Sequence, residues 1–229
     1  MLAPVEDVAP NDVFQTLPSH DVIKALAETR PAIYKAHHRL YRAAWNAASV
    51  LPRSVNKFYR FGPPISYVSA LASLPYWWLY VADEAITCVY EAGFCGHDAR
   101  RPGCFFLENY PVEHGLIATM DFPTELRLLD LNGDVAFKMG IYDLLSSSDH
   151  LWCQWFAYQL QAEGLFDGSG RAFDGLLYPS RKNRRKEALA LASTYVDDAR
   201  PRIVHTEQPF NETPEYRQLL ADPFRIAKP

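Results

Sequence analysis

Arg60 stands in the segment N-K-F-Y-R-F-G-P-P (Asn56–Pro64), between Tyr59 and Phe61, with Phe58 one step further back. Aromatic neighbours bury a position on at least one side, and a buried cation needs a partner. The G-P-P step stops any regular element, because proline lacks an N–H and restricts the residue before it. The arginine therefore sits at the end of a strand-like segment, where the chain turns. Two chemistries are open to it: pairing with a core carboxylate, or holding the oxygens of a phosphate.

Other segments place polar residues in similar company. They are RLYR (39–42), LYVADEAITCVYEA (79–92) and FDGLLYPSRKN (173–183). Taken singly, each has a structural reading: Tyr80 as core, Glu91 as an ordinary helix-face carboxylate. Cys95, His97 and Cys104 could ligate zinc, but C-x-H-x6-C with no fourth ligand fits no standard pattern, so this stretch reads as a loop. Arg181–Lys186, R-K-N-R-R-K, carries five cations in six residues. It reads as a solvated basic turn rather than a nucleic-acid contact, with a diphosphate ligand nearby still open. The glycine-rich dinucleotide and phosphate loops, the H-E-x-x-H zinc motif and the G-x-S-x-G elbow are absent.

These residues need elements to position them. Residues 1–18 read as an extended lead-in with prolines at 4, 10 and 18. From Ser19, DVIKALAETR has helical spacing with Val22, Ile23 and Leu26 on one face. A second helix is expected from Ala32 towards Leu40, with His37 and His38 on its surface. Residues 40–45 fit helix or strand. WWLYVA reads as a strand, Asp83 as an N-cap and EAITCVYE as a helix, which puts Tyr80 near a strand end and Glu91 on the helix. Residues 93–115 suggest a loop with a short strand. LRLLDL (126–131) reads as a strand before an NGD turn. Ser148 or Asp149 would cap the helix HLWCQWFAYQLQAEG, with Leu151, Trp155 and Phe156 facing the core and Gly164 ending it. DGSG (167–170) is a loop and FDGLLYPS (173–180) a strand. Strands and helices without regular alternation point to an α+β fold.

Composition sets outer bounds. The 229 residues are 48% hydrophobic and 22% charged, enough for one sizeable core. A net charge of −4 gives no global field for nucleic acid. Four cysteines do not make a disulfide framework, and the acidic N-terminus lacks a signal pattern. No run approaches a membrane span. A cytoplasmic location is the expectation.

In order along the chain, the four segments resemble the RES-domain family, named for its arginine, glutamate and serine. Tyr41-Arg42 matches the aromatic–arginine pair that opens that domain. Arg60 in YRFGPP matches its second arginine, although Phe58-Tyr59 stand where the family has two glycines and Gly62 where it has asparagine. Tyr80 and Glu91 match a tyrosine and a helical glutamate eleven residues apart. Asp174-Gly175-Leu-Leu-Tyr-Pro-Ser180-Arg matches the serine segment. The resemblance spans about residues 39 to 192, with extra length around Leu71–Trp78.

The resemblance implies an ADP-ribosyltransferase-like mixed β core with surrounding helices and an N-terminal helical extension. It implies an extension over 1–38, a catalytic domain over 39–200 and a tail over 201–229 that packs on the domain or is mobile. It implies a toxin that consumes NAD⁺ as substrate, by hydrolysis or phosphorolysis of the nicotinamide–ribose bond, with no prosthetic group. Alternatives are ADP-ribosylation of a protein, or a catalytically silent interaction or nucleic-acid-binding module. The implied partner is an antitoxin with an Xre-type DNA-binding domain, and homodimerisation stays open. The implied site has Glu91 stabilising charge on the ribose, Arg42 and Arg60 on the diphosphate, Tyr80 or Tyr41 against the nicotinamide, and Ser180 on the ribose or orienting Glu91.

Overall fold

The computed structural model describes residues 2–68, 74–132, 134–147 and 149–229. The expected cap Ser148, Gly133 of the NGD turn and part of the extra length before Trp78 lie outside them. Among the described residues, ten strands form three sheets. They are β1 (Ala32–Tyr34), β2 (Arg39–Ala44), β3 (Trp78–Val81), β4 (Cys95–His97), β5 (Phe105–Leu107), β6 (Leu116–Asp121), β7 (Leu126–Asp130), β8 (Gly175–Pro179), β9 (Glu187–Ala192) and β10 (Val204–Pro209). The main sheet runs β1-β7-β8-β9-β3, antiparallel except for the β7–β8 pair. An antiparallel sheet runs β10-β6-β2, and β4 and β5 make a hairpin. The helices in chain order are α1 (Val5–Val8), α2 (Asn11–Phe14), α3 (His20–Ala27), α4 (Ile65–Val68), α5 (Ala85–Glu91), α6 (Asn109–His114), α7 (Asp134–Lys138), α8 (Tyr142–Leu145), α9 (Leu151–Ala162), α10 (Ser193–Ala199) and α11 (Pro214–Leu220). The fold is α+β, as expected. No described helix is long and apolar enough to cross a membrane.

WWLYVA is apolar throughout because β3 is covered on both faces. Trp78 joins one core cluster with Leu176, Tyr178 and Ala190; Leu79 and Val81 join a second with Leu177, Leu189 and Leu191. That is the two-residue period of a strand. The two sheets meet where Tyr41 and Ala82 exchange backbone hydrogen bonds of 2.8 and 3.0 Å. This bridge sets Arg42 beside Tyr80.

α9 is buried nearly all round, its three glutamines included, with Trp155, Phe156 and Leu160 fully buried. The Leu151 N–H donates to Asp149 Oδ1 at 2.9 Å, and Gly164 ends the helix region at φ 74°. The proline-rich lead-in lies against this helix: Tyr158 Oη donates to the Ala3 carbonyl at 2.9 Å and Gln159 Nε2 to the Pro18 carbonyl at 2.7 Å.

Several expectations are corrected. The helix expected over Ala32–Leu40 is replaced by β1, a turn with His37 at φ 60°, and β2. Pairing of β1 with β7 and of β2 with β6 overrides the helix-forming composition. His37 and His38 are on the surface, bonded to Asp121 and Asp83. Asp83 does not cap α5; it takes Tyr34 Oη at 3.0 Å and His38 Nε2 at 2.7 Å, and Glu84 holds the cap position without a side-chain bond. Ile23 and Leu26 are buried, but Val22 is 38% exposed. Residues 93–115 contain two short strands and a helix.

The D-G pair at the start of β8 has a packing cause. Asp174 is buried between Arg171 Nε, at 2.7 Å, and the Arg127 N–H, at 2.8 Å. A Cβ on Gly175 would lie 2.3 Å from the Ala190 carbonyl oxygen and 2.9 Å from Leu191 Cα on β9. Backbone cannot move aside without opening the β8–β9 ladder. We expect Gly175→Ala to cost about 2 kcal/mol and lower Tm by about 6 °C, measured by thermal unfolding. An unchanged Tm would show that the ladder yields.

Candidate functional site

A cleft of about 970 Å³ opens between the β2 end of the small sheet, the β3–α5 unit and the start of α9. Arg42, Arg60, Tyr80 and Glu91 all line it. Two expected residues do not. Ser180 lies behind Glu91, and Tyr41 points to the opposite face of β2 from Arg42, as adjacent strand residues must. Tyr41 contributes its carbonyl instead, accepting Cys88 Sγ–H at 2.9 Å.

Arg42 is fixed by backbone oxygens. Its Nη1 donates to the Tyr80 carbonyl at 2.8 Å, and Nε and Nη2 donate to the Ser49 carbonyl at 3.0 and 2.9 Å. These bonds use three of its five N–H groups and no carboxylate. Burial lowers its pKa from the usual arginine value.

Arg60 is 6% exposed, and its Nη1 donates to the Leu145 carbonyl. No ion pair holds it among the described residues. Its neighbours explain its place. Phe61 is fully buried, edge-on to Tyr178 at 4.9 Å, and its N–H donates to Tyr80 Oη at 3.1 Å. The Tyr59 carbonyl accepts from Gln154 Nε2 at 3.1 Å, while the Tyr59 ring, 5.7 Å from that of Tyr80, remains half-exposed on the cleft wall.

Glu91 ends α5. Its Oε1 accepts Ser180 Oγ–H at 2.6 Å. Ser180 Oγ in turn accepts the Asn183 N–H at 3.0 Å. The serine hydroxyl proton is thus directed at the carboxylate, and no histidine base is bonded to that oxygen. Lys182 stands beside Glu91; burial lowers its ammonium pKa while Glu91 opposes the shift. Cys88 also lines the cleft, but burial pushes its thiol up to about 12, which makes it unreactive.

The fold adds residues that sequence reasoning missed. Trp45 lines the cleft, pinned by Nε1–H to the Ala92 carbonyl at 2.9 Å. Tyr110 stacks on it with ring centroids 5.9 Å apart, and Lys57 Nζ lies 5.9 Å from the Trp45 ring centre. His150 is also part of the lining; burial, then Arg60 and Arg181, hold its imidazole below the usual range. Trp45 follows Arg42 by three residues and could have been suspected. Tyr110 and His150 arrive from distant elements and carry no local signal.

The charge balance is one-sided. The lining includes Arg42, Lys57, Arg60, Arg181 and Lys182 against a single carboxylate, Glu91, on a chain of net charge −4. Such a concave field selects an anion. Two aromatic pairs, Trp45 with Tyr110 and Tyr59 with Tyr80, are part of the lining. Among the described residues, no group of three or more His, Cys, Asp or Glu is arranged to hold a metal ion.

No family model and no curated protein matches the sequence. Among solved structures, the fold is similar to a chain of the M. tuberculosis MbcT–MbcA toxin–antitoxin complex, with a TM-score of 0.51 and 17% identity over 83% of this chain and 93% of that one. The likeness is one of fold.

Proposed function

We propose that this chain is a RES-like toxin that cleaves the nicotinamide–ribose bond of NAD⁺, and that an antitoxin protein of Xre type restrains it. The observation that carries the reading is the lone carboxylate Glu91, braced by Ser180, in a cleft whose other formally charged side chains are Lys and Arg and whose lining includes the Trp45, Tyr59, Tyr80 and Tyr110 rings. NAD⁺ has matching chemistry: two phosphates in the middle, a flat ring at each end and a cationic pyridinium at the bond that breaks.

Arg42 and Arg60 present guanidinium forks to the diphosphate. Tyr80, with Tyr59, offers a face to the nicotinamide ring, and Trp45 with Tyr110 offers one to the purine. When the C–N bond breaks, its electron pair leaves with nicotinamide, which departs neutral. No general acid is needed. Positive charge develops on the ribose, as in glycoside cleavage, and the Glu91 carboxylate stabilises it. Water or inorganic phosphate then adds to the ribose carbon.

Ser180 acts through Glu91, so its loss should act on kcat. Ser180→Ala is expected to lower kcat about thirtyfold with KM within about threefold, because one strong hydrogen bond to the carboxylate disappears. Ser180→Thr, which keeps the hydroxyl, should recover part of the rate. Equal loss in both variants would mean a merely structural serine. In growing bacteria, expression of the chain should stop growth as intracellular NAD⁺ falls, and Glu91→Gln should do neither. Growth arrest at constant NAD⁺ would overturn the reading.

A further inference from the structure

The turn between β8 and β9 has two unlike sides. Its inner side is fastened along α5 and its cap. Lys186 Nζ pairs with Glu84, Asn183 Nδ2 donates to Thr87 Oγ1 at 2.8 Å, and Ser180 Oγ donates to Glu91 at 2.6 Å. Positions 84, 87 and 91 share one helical stripe, so three successive ties hold the turn to the helix that carries the cleft carboxylate. Within the turn, the Ser180 N–H donates to the Lys186 carbonyl at 2.8 Å and the Asn183 N–H to Ser180 Oγ at 3.0 Å. The turn is therefore tied at three points to the helix that ends in Glu91.

Its outer side carries Arg181, Arg184 and Arg185, all exposed. Their side chains make no hydrogen bond or ion pair among the described residues. They line a second cavity of about 550 Å³ with Asn132 and Tyr142, and Arg181 borders the main cleft as well. The only carboxylate on its lining, Glu187, is engaged by Asn132 Nδ2 at 3.0 Å. Arg185 adopts φ 68°, a left-handed conformation that is unfavourable for a residue with a Cβ. The turn thus gathers three unneutralised guanidinium groups at a local conformational cost.

We propose that this outer cavity binds a small polyphosphate anion and that the turn transmits its occupancy to Glu91. Three guanidinium forks match the repeated oxygens of a phosphate chain, whereas one monoanion would leave two of them unpaired. The cavity has the volume of a small-ligand site. The half-exposed Tyr142 ring offers a flat face, so a nucleoside polyphosphate and a bare phosphate chain are two sources of the same chemistry. The site stands independently of the NAD⁺ reading; only its effect on turnover rests on that reading.

The test is calorimetric titration of the full chain with inorganic triphosphate and, separately, ATP. Saturable binding is expected, weakened about tenfold or more in Arg184→Ala/Arg185→Ala and by less in Arg184→Lys/Arg185→Lys. ATP binding that exceeds triphosphate in a Tyr142-dependent way identifies a nucleotide; equal binding identifies the phosphate chain alone. Bound triphosphate should also slow amide exchange at Asn183, and should change NAD⁺ turnover in the wild type but not in the alanine double variant. Binding at these arginines in a protein that leaves NAD⁺ intact would uphold the site and overturn the NAD⁺ reading. Triphosphate affinity unchanged in the alanine double variant would overturn the site. So would a short single-stranded RNA that binds through the same arginines far more tightly than triphosphate.

Discussion

Glu91→Gln should reduce kcat for nicotinamide release about 10³-fold, equivalent to about 4 kcal/mol, with a small change in KM. The substitution keeps the shape of the side chain and an acceptor oxygen for Ser180 Oγ, so the 2.6 Å contact has a neutral counterpart. It removes the negative charge, which the proposed reaction needs only as the ribose becomes cationic. A loss confined to kcat is the mark of an interaction made in the transition state. Glu91 is half-buried at the end of α5, so the fold should tolerate the change. Steady-state kinetics with thermal unfolding on the same samples decides it. A variant that retains wild-type kcat would remove Glu91 from the reaction.

Arg60→Met should separate binding from folding. The arginine is 6% exposed, donates to the Leu145 carbonyl and has no ion pair among the described residues. Desolvating a cation without a counter-ion is unfavourable, and an apolar side chain of similar length relieves that cost. The lost bond to Leu145 offsets part of the gain, at about 1 kcal/mol. Tm should therefore stay within about 3 °C of wild type or rise. Binding should suffer: KM for NAD⁺ should increase about thirtyfold, equivalent to about 2 kcal/mol for one charged phosphate contact. The opposite result, a large fall in Tm with KM unchanged, would return Arg60 to a structural role.

The parts of the site that are local in the chain were legible in its sequence. Tyr80 and Glu91 lie on β3 and the helix that follows it, joined by a short turn, so their spacing encodes their geometry. Arg42 was legible beside an aromatic, but Tyr41 was misplaced, because strand alternation sends adjacent side chains to opposite faces. Ser180 was picked out by its segment; its 2.6 Å bond to Glu91, 89 residues away in the chain, is made only by the fold. Arg60 could not be resolved from its segment alone. Its environment is made by Phe61 packing on Tyr178 and by Leu145, 85 residues away. Composition misled at Ala32–Leu40, where strand pairing outweighs helical propensity. The sequence EALALA of β9 also has helix-forming composition, yet it is held between β8 and β3. Tyr110 and His150 reach the cleft only through the tertiary arrangement.

The charge pattern gives these residues a common purpose. A chain with net charge −4 lines one cleft with five cationic side chains, one carboxylate and two aromatic pairs. Neither a catalytically silent module nor a nucleic-acid binder needs that carboxylate tied to a buried serine. The most direct measurement is to incubate the purified chain with NAD⁺, with and without inorganic phosphate, and resolve the products by chromatography. The account predicts free nicotinamide in amounts equal to the NAD⁺ consumed, accompanied by ADP-ribose, or by ADP-ribose-1-phosphate where phosphate is the acceptor. NAD⁺ left intact by folded protein in both conditions would contradict it.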